Sequence, residues 1–258
     1  QGDTLTSPYH KSDDGSELRQ FDYVVSNPPF KMDFSDTQER LSAMPERFWG
    51  GVPKVPAKNK DKMAIYPLFV QHVINSLKSE GKGAIVVPTG FLTAKTGVEK
   101  NVLHRLIDDR IVYGAVSMPS NVFANTGTNV SVLFFDKSGD SDNVTLIDAS
   151  KLGELYKEGR IQKRRLRAEE IDQIVETFTK QEAVDDFSVI VSYDDIKEKN
   201  YSLAAGQYFD VKIEYVDLTP EEFQAQMAEY RATLQDLFTK SASLQDEIMT
   251  QLGTVSYE

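Results

Sequence analysis

One short stretch of the chain combines residue types that suit chemistry on an amino group. Tyr23 to Val25 is an apolar run that predicts a short buried strand, and Asn27-Pro28-Pro29-Phe30 follows it. The two prolines have no N–H to continue a ladder, and Pro28 keeps Asn27 out of the helical region. The chain is therefore predicted to leave the strand as a stiff, extended turn at its carboxyl end, where open α/β sheets bind ligands.

The residues of this turn suggest how an amine would be held. The Asn27 amide oxygen and the Pro28 carbonyl are both hydrogen-bond acceptors. Side by side on a rigid turn, they could accept both hydrogens of one exocyclic amino group and direct its lone pair toward an electrophile. Phe30 could stack on the ring that carries the amine. The simpler alternative is a plain strand-ending turn, which Asn-Pro dipeptides often begin; the longer pattern favours the functional interpretation.

The stretch resembles the signature of the S-adenosylmethionine-dependent family that methylates N6 of adenine in DNA, and the wider chain looks like the modification subunit of type I restriction–modification systems. Asn-Pro-Pro-Phe alone is shared with other amine methyltransferases, so the specificity comes from the combination. The resemblance covers most of the chain and is strongest from residue 1 to about 137. The supporting stretches are Gly2-Asp3-Thr4-Leu5, Lys62-Met63-Ala64, Phe69-Val70-Gln71-His72, Gly83 to Leu92, Met118 to Phe123 and Thr126-Gly127-Thr128.

The resemblance implies roles for particular residues. Asn27, Pro28, Pro29 and Phe30 would form the catalytic turn, and Phe30 and Phe123 would stack on the two faces of the target adenine. Asp3 and Asn27 would bind the cofactor, S-adenosylmethionine, with Asp3 accepting a hydrogen bond from its adenine amino group. The simpler alternatives are a solvated Asp3 and a Phe123 that anchors a buried loop.

The resemblance also implies what lies outside the chain. The family has a glycine-rich cofactor loop upstream of this region, and no G-x-G-x-x-G loop occurs here. The sequence therefore predicts a C-terminal fragment that is inactive alone. The implied partners are double-stranded DNA, a specificity subunit bound through residues 218–252, a second modification subunit and an endonuclease subunit.

Composition excludes several classes of site. There is no cysteine among the 258 residues, which rules out disulfides, thiolate metal sites and a cysteine nucleophile. The three histidines, His10, His72 and His104, lack ligand spacing, so no metal site is expected. The sequence has no signal-peptide pattern or apolar run of membrane-spanning length, and the simplest expectation is a cytoplasmic protein.

The net charge of −11 is unevenly distributed. Residues 186–258 contain 14 acidic and 5 basic residues, so the rest of the chain is nearly neutral. This pattern leaves room for a local basic surface and indicates a protein partner for the acidic tail.

The order of the apolar runs predicts an α/β fold with part of a Rossmann-like methyltransferase sheet, mostly parallel with an antiparallel edge. A C-terminal helical region ending in a long helix of coiled-coil type follows. The predicted domains are a catalytic part at 1–150, a mixed connecting region at 151–217 and the long helix at 218–252. Helices are expected at about 63–77 and 97–109, and strands at 84–87, 111–116, 130–135 and 144–147, with 130–135 central.

Two segments could contact DNA. Residues 31–61 are predicted to be a long irregular loop with Trp49 and several lysines, which could stack and bind phosphates, although a solvated loop is the simpler alternative. Arg160, Lys163, Arg164, Arg165 and Arg167 form the densest basic run, which could follow a phosphate backbone or form one face of a solvated helix.

The last segment has the clearest periodicity. Thr219 is a predicted cap and Pro220 a predicted first helical residue. Seven apolar residues then recur at alternating steps of four and three, which predicts a heptad seam that needs a partner helix: Phe223, Met227, Tyr230, Leu234, Leu237, Leu244 and Ile248.

Two other functions are considered beside DNA methylation. A protein glutamine N5-methyltransferase is one alternative, because the side-chain amide nitrogen of its substrate would fit the same turn. The acidic heptad tail and the Phe123 loop argue against it. A non-catalytic assembly module would need only the long helix.

Overall fold

The computed structural model describes residues 2–12, 14–15, 17–122, 129–159, 161–210 and 219–253. The chain forms two compact units, Gln1–Phe209 and Asp210–Glu258. All of the strands in the described residues belong to the first unit. None of the described helices is both long and apolar enough to cross a membrane.

A six-stranded mixed sheet forms the centre of the first unit. Its spatial order is β1 (Phe21–Ser26), β2 (Leu77–Pro88), β4 (Val130–Asp136), β3 (Val112–Ser117), β5 (Asn143–Asp148) and β8 (Ser188–Ser192). Strands β1 and β2 pair in parallel, as do β3 and β5, whereas β4 and β8 run antiparallel to their neighbours. Four strands therefore point the same way and end at one edge of the sheet, here called the carboxyl edge.

The sheet confirms the predicted α/β class and refines the strand pattern. The expected central position of 130–135 is confirmed, since β4 pairs on both sides and buries Leu133 and Phe135 completely. An antiparallel edge is present as β8, but the antiparallel β4 also lies in the interior. Strand β2 is far longer than the predicted 84–87, because its polar first half still pairs with β1 at Phe21 and Tyr23.

Helices cover the faces of the sheet. They are α2 (Tyr66–Asn75), α3 (Gly97–Asp108), α4 (Ala168–Lys180) and the short α5 (Tyr193–Glu198). Helix α2 packs on β2 and α3, and buries apolar residues spaced three and four apart, such as Val70, Val73 and Ile74. Pro67 is tolerated because it lies in the first turn of α2, where its missing N–H has no intrahelical partner.

Residues 31–61 are more ordered than predicted. They contain the short helix α1 (Gln38–Ser42), and they bury Phe34, Leu41 and Phe48 in a second apolar cluster with Leu5, Met63, Ile65 and Leu68. Trp49 is half-buried against the main core, and the Arg105 guanidinium lies 4.8 Å from its ring centre. Its ring is engaged in packing, and the contact of Trp49 with DNA stays a prediction.

The basic run forms a strand rather than a helix face. Strand β6 (Glu154–Glu158) pairs antiparallel with β7 (Ile161–Arg165) as a separate two-stranded hairpin. Arg160 lies outside the described residues. Strand β8, further along the chain, joins the main sheet through β5.

Strand β1 forms an outer edge of the six-stranded sheet. Among the described strands, β2 is its one neighbour. Tyr23 and Val25 project from one face of β1 with exposed fractions of 77% and 83%. The buried strand predicted for Tyr23 to Val25 is therefore an edge strand with one open face.

The second unit contains the helix α6 (Pro220–Gly253). The predicted cap is confirmed: Thr219 Oγ1 accepts the Glu222 N–H at 3.2 Å, and the Glu222 carboxylate accepts the Thr219 N–H at 2.8 Å. Leu218 lies outside the described residues. The seven apolar residues of the seam are between 37% and 58% exposed, which leaves the stripe open along the helix.

Candidate active site

The Asn27-Pro28-Pro29-Phe30 turn directly follows β1, at the carboxyl edge of the sheet. Pro28 is buried while Asn27 and Pro29 are exposed, so the turn is anchored by its first proline. The chain then pairs with the residues before α2: Ile65 N–H donates to Phe30 O at 3.1 Å, and Met32 N–H donates to Met63 O at 3.1 Å. These bonds fix the carboxyl end of the turn, and the pairing of Ser26 with Ile85 in the sheet fixes its start.

Phe30 is held by a row of aromatic rings. Its centre lies 6.3 Å from that of Tyr66, edge to face, and Tyr66 lies 5.7 Å from Phe91 in the same manner. The Tyr66 hydroxyl donates a 2.8 Å hydrogen bond to Glu99 Oε1. Burial, together with the Glu99 charge, raises the pKa of Tyr66 well above its usual range, so the hydroxyl stays protonated. Phe30 is thus half-buried and packs against the main core.

Asp3 lies in a compact turn near the start of the chain. Its Oδ1 atom accepts the N–H groups of Leu5 at 2.8 Å and Thr6 at 3.0 Å. One carboxylate oxygen therefore organises the turn, and Oδ2 retains its acceptor capacity. Leu5 anchors the turn by burying its side chain in the second apolar cluster.

Arg47 holds the same turn from the other side. Its guanidinium donates to Leu5 O at 2.5 Å, to Thr4 O at 2.8 Å and to His72 Nδ1 at 2.8 Å. Burial lowers the pKa of Arg47, and the charges of Asp3 and Glu46 act in the opposite direction. Sequence reasoning missed this cluster because the partners of Arg47 lie 25 to 43 residues away from it in the chain.

His72 is neutral in this arrangement. Burial, and secondarily the Arg47 charge, lowers its pKa to about 4. Because arginine can only donate, Nδ1 of His72 must be the acceptor and the ring proton belongs on Nε2. This buried pair links α2 to the Asp3 turn.

A cleft of about 520 Å³ lies between the Asp3 turn and the segment that follows Phe30. It is lined by Asp3, Thr4, Leu5, Thr6, Met32, Asp33, Phe34, Asp36, Thr37, Leu41, Ile65 and Phe69. Its apolar walls are Leu5, Phe34 and Ile65, and Asp3, Asp33 and Asp36 supply three carboxyl groups. The cleft begins two residues after Phe30, and the Asn27–Phe30 turn itself is not among its lining residues.

The residues present fit the adenosine end of S-adenosylmethionine. Apolar walls suit a flat heterocycle, a carboxylate suits an exocyclic amine, and acidic surroundings suit a cationic ligand. The volume also lies in the range of small-molecule sites. The cleft thus offers a binding surface beside the Asn27–Phe30 turn.

The predicted site residues have different outcomes. Asn27, Pro28, Pro29 and Phe30 lie together at the end of β1, and Asp3 lines the cleft next to them. Phe123 lies outside the described residues, as do its neighbours up to Thr128. Among the described residues no group of His, Asp or Glu side chains is arranged to hold a metal ion.

Comparison with known proteins agrees with this geometry. Residues 1–216 match the family model described as N-6 DNA Methylase. The chain is 30% identical to the type I restriction enzyme MjaIX methylase subunit of Methanocaldococcus jannaschii over 98% of its own length and 45% of that protein's. It is 28% identical to the MpnII methylase subunit of Mycoplasma pneumoniae, over 91% of the chain and 42% of the relative.

A solved structure gives the same fold. The type I restriction-modification methyltransferase subunit from Streptococcus thermophilus superposes with a TM-score of 0.64 at 24% identity, covering 81% of this chain and 41% of that one. The chain spans about half the length of the curated relatives it matches. Because the family model covers most of the chain, the protein belongs to the N-6 DNA methylase family.

Proposed function

We propose that the chain is part of a DNA adenine-N6 methyltransferase, the modification subunit of a type I restriction–modification system. The observation that carries the proposal is the Asn27-Pro28-Pro29-Phe30 turn, pinned at the carboxyl edge of the sheet beside the Asp3 cleft. The methylase subunits among the relatives support the same assignment. A glutamine N5-methyltransferase is not favoured by these relatives.

The proposed chemistry is direct methyl transfer to an extruded adenine. S-adenosylmethionine would supply an electrophilic methyl group, and its sulfonium S–CH3 bond would break as the N–C bond forms, leaving a neutral thioether. Asn27 Oδ1 and the Pro28 carbonyl would accept the two N6 hydrogens, and these bonds would strengthen as positive charge develops on N6. The proton that N6 loses after the new N–C bond has formed would pass to water. Most of the rate would come from holding the amine at near-attack distance.

The remaining site residues have proposed supporting roles. Phe30 would stack on one face of the adenine, with Tyr66 behind it, and Phe123 would contact the other face. Asp3 would bind the adenine amino group of the cofactor through Oδ2, with Asn27 near the methyl donor. The Asp3 turn supports this role, because two backbone N–H groups already donate to Oδ1 and hold the carboxylate in place.

The catalytic role is tested by methyl transfer from labelled S-adenosylmethionine to duplex DNA with the complete protein. We expect Asn27→Ala to lower kcat by about 100-fold or more, as the loss of a preorganised polar contact does elsewhere. The matched control is Asn143→Ala, at the exposed start of β5. Full activity of Asn27→Ala would contradict the proposal.

We further propose that cofactor binding needs a glycine-rich segment outside this sequence. The test is calorimetric titration with S-adenosylmethionine of this chain and of a form extended upstream to the length of the relatives. We expect the extended form alone to bind. If neither form binds, the methyltransferase assignment fails and the assembly role of α6 is what remains.

For α6 we propose docking against helices of a specificity subunit, within a complex that also contains a second modification subunit and an endonuclease subunit. A 34-residue helix with every seam residue exposed supports a partner, because such a stripe is unfavourable in water. Co-purification with the specificity subunit should be abolished by Leu234→Glu, which puts a charge in the seam. Gln235→Glu adds the same charge outside the seam and should leave co-purification unchanged.

A further inference from the structure

The hairpin of β6 and β7 with its flanks, residues 151–167, concentrates positive charge. It contains seven Lys or Arg residues and two Glu residues, within a chain whose net charge is −11. The rest of the chain is therefore strongly acidic, and the hairpin is a local exception. A surface of this kind attracts polyanions through short-range fields even when the whole protein is acidic.

The root of the hairpin is fixed to the body by Arg164. Its backbone N–H donates to Asn121 O at 3.0 Å, and its guanidinium donates to Leu152 O at 3.1 Å and Ser150 O at 3.3 Å. The Gly153 N–H donates to Glu170 Oε1 at 3.0 Å. Gly153 has φ +84°, and a Cβ there would lie 2.9 Å from Arg164 Cγ. Arg164 is thus structural, and the hairpin has a defined position on the body.

That position is at the carboxyl edge of the sheet. Strand β1 is parallel to β2, and β3 is antiparallel to β4, which is itself antiparallel to β2. Strands β1, β3 and β5 therefore end at the same edge. Asn121 follows β3, and the hairpin begins a few residues after β5. The hairpin and the Asn27 turn lie at one edge.

The separation along this edge suits a nucleic acid. Strand β3 is three positions from β1 and β5 is four, which at the usual strand spacing is about 14 to 19 Å. Duplex DNA rises about 3.4 Å per base pair. The hairpin is therefore about four to six base pairs from a base bound at the turn.

The two faces of the hairpin both carry groups that suit a phosphate backbone. Alternation along the strands puts Tyr156, Lys163 and Arg165 on the face opposite Arg164. The Arg165 guanidinium lies 5.7 Å from the Tyr156 ring centre and forms an exposed ion pair with Glu154 at 2.5 Å. Exposed pairs of this kind are weak, so Arg165 can exchange Glu154 for a phosphate. Lys157 is exposed near the tip and lies on the other face, with Arg164.

We propose that the hairpin binds the phosphate backbone of duplex DNA beside the target adenine. This inference rests on the proposed function and adds the surface that holds the flanking DNA. Contacts to phosphates carry no sequence information, so the hairpin would position the duplex rather than select its sequence.

The test compares two double variants of the complete protein by fluorescence anisotropy with a labelled duplex at several salt concentrations. Lys157→Gln with Lys163→Gln should weaken binding roughly tenfold and lower the slope of log K against log salt by about two. The control is Lys197→Gln with Lys199→Gln. These lysines follow β8, which runs antiparallel to β5, so they lie at the opposite edge of the sheet. Circular dichroism verifies that each variant is folded.

The outcomes separate the two proposals. If the wild-type protein fails to bind duplex DNA, the proposed function and this inference both fail. If the wild type binds and the hairpin variant has the same affinity and salt slope, this inference alone is overturned. This inference alone is also overturned if the hairpin variant retains DNA binding but loses a protein partner. The basic hairpin would then bind an acidic protein surface.

Discussion

Nη2 of Arg47 lies 2.8 Å from Nδ1 of His72, and the same guanidinium holds the carbonyl oxygens of Thr4 and Leu5. One buried cation thus connects helix α2 to the turn that carries Asp3. A neutral imidazole accepts this hydrogen bond, whereas a protonated one would set a second donor against the guanidinium. The protonation state of His72 is therefore coupled to the order of the Asp3 turn.

Acid should weaken the first unit through His72. Its folded-state pKa of about 4 lies below the usual value of 6.5, so the unfolded chain binds the proton more readily. Stability is then fully present above pH 6.5 and is lost as the pH falls towards 4, by about 3 kcal/mol at most. Urea denaturation at stepped pH measures this loss. His72→Gln should flatten the profile in that window, whereas the exposed His10→Gln should not.

Removing Arg47 should loosen the Asp3 turn. Arg47→Met leaves the buried Leu5 carbonyl, the partly buried Thr4 carbonyl and the His72 ring without their donor, which we expect to cost about 2 to 4 kcal/mol of unfolding free energy. Arg40 is the matched control, because it donates to Thr6 O of the same segment at 2.9 Å from an exposed position. Arg40→Met should cost less than about 1 kcal/mol. Equal losses for the two variants would contradict the assigned role of Arg47.

The ring behind Phe30 gives a third prediction. Tyr66→Phe keeps the aromatic contact but removes the hydrogen bond to Glu99, and we expect a loss of about 1 to 2 kcal/mol. Tyr66→Ala also removes the ring and should cost about 3 to 5 kcal/mol. Tyr113→Phe, in a ring that packs on Phe134 and Phe178, should change stability by less than about 0.5 kcal/mol. Chemical denaturation of the three variants gives the comparison.

Gly114 in β3 is required by close packing. A Cβ at this position would lie 2.3 Å from Cε2 of Phe178 on α4, and an aromatic ring among buried neighbours cannot move aside easily. Gly114→Ala should lower the unfolding free energy by about 1 to 3 kcal/mol. Gly206→Ala meets no atom within 4 Å and serves as the control. A thermal midpoint for Gly114→Ala equal to that of the wild type would show that α4 shifts without cost.

The sequence patterns correctly predicted those helices and strands whose formation depends on residues close together in the chain. The helix at 97–109, the strand at 130–135 and the capped start of α6 all follow from periodicity, proline and glycine positions within a few residues. The α/β class follows from their order. These features depend on neighbours in the sequence, which is why they could be predicted.

Other features depend on contacts between distant residues. The β6–β7 hairpin has no clean alternation of apolar residues, because its strands are filled with charged side chains, and the same charges suggested a helix face. The Tyr66–Glu99 bond joins residues 33 apart, and the fixed packing of residues 31–61 depends on Leu5 and Leu68. No sequence period encodes such contacts, since they arise when remote segments meet.

The exposed edge of the outer strand β1 favours association between molecules of the isolated chain. It has one neighbour among the described strands, and it carries Tyr23 and Val25 into solvent. Unpaired N–H and C=O groups beside large apolar side chains form a template on which a strand from another molecule can add. We expect solubility, rather than the free energy of folding, to limit the concentration at which the isolated chain can be handled.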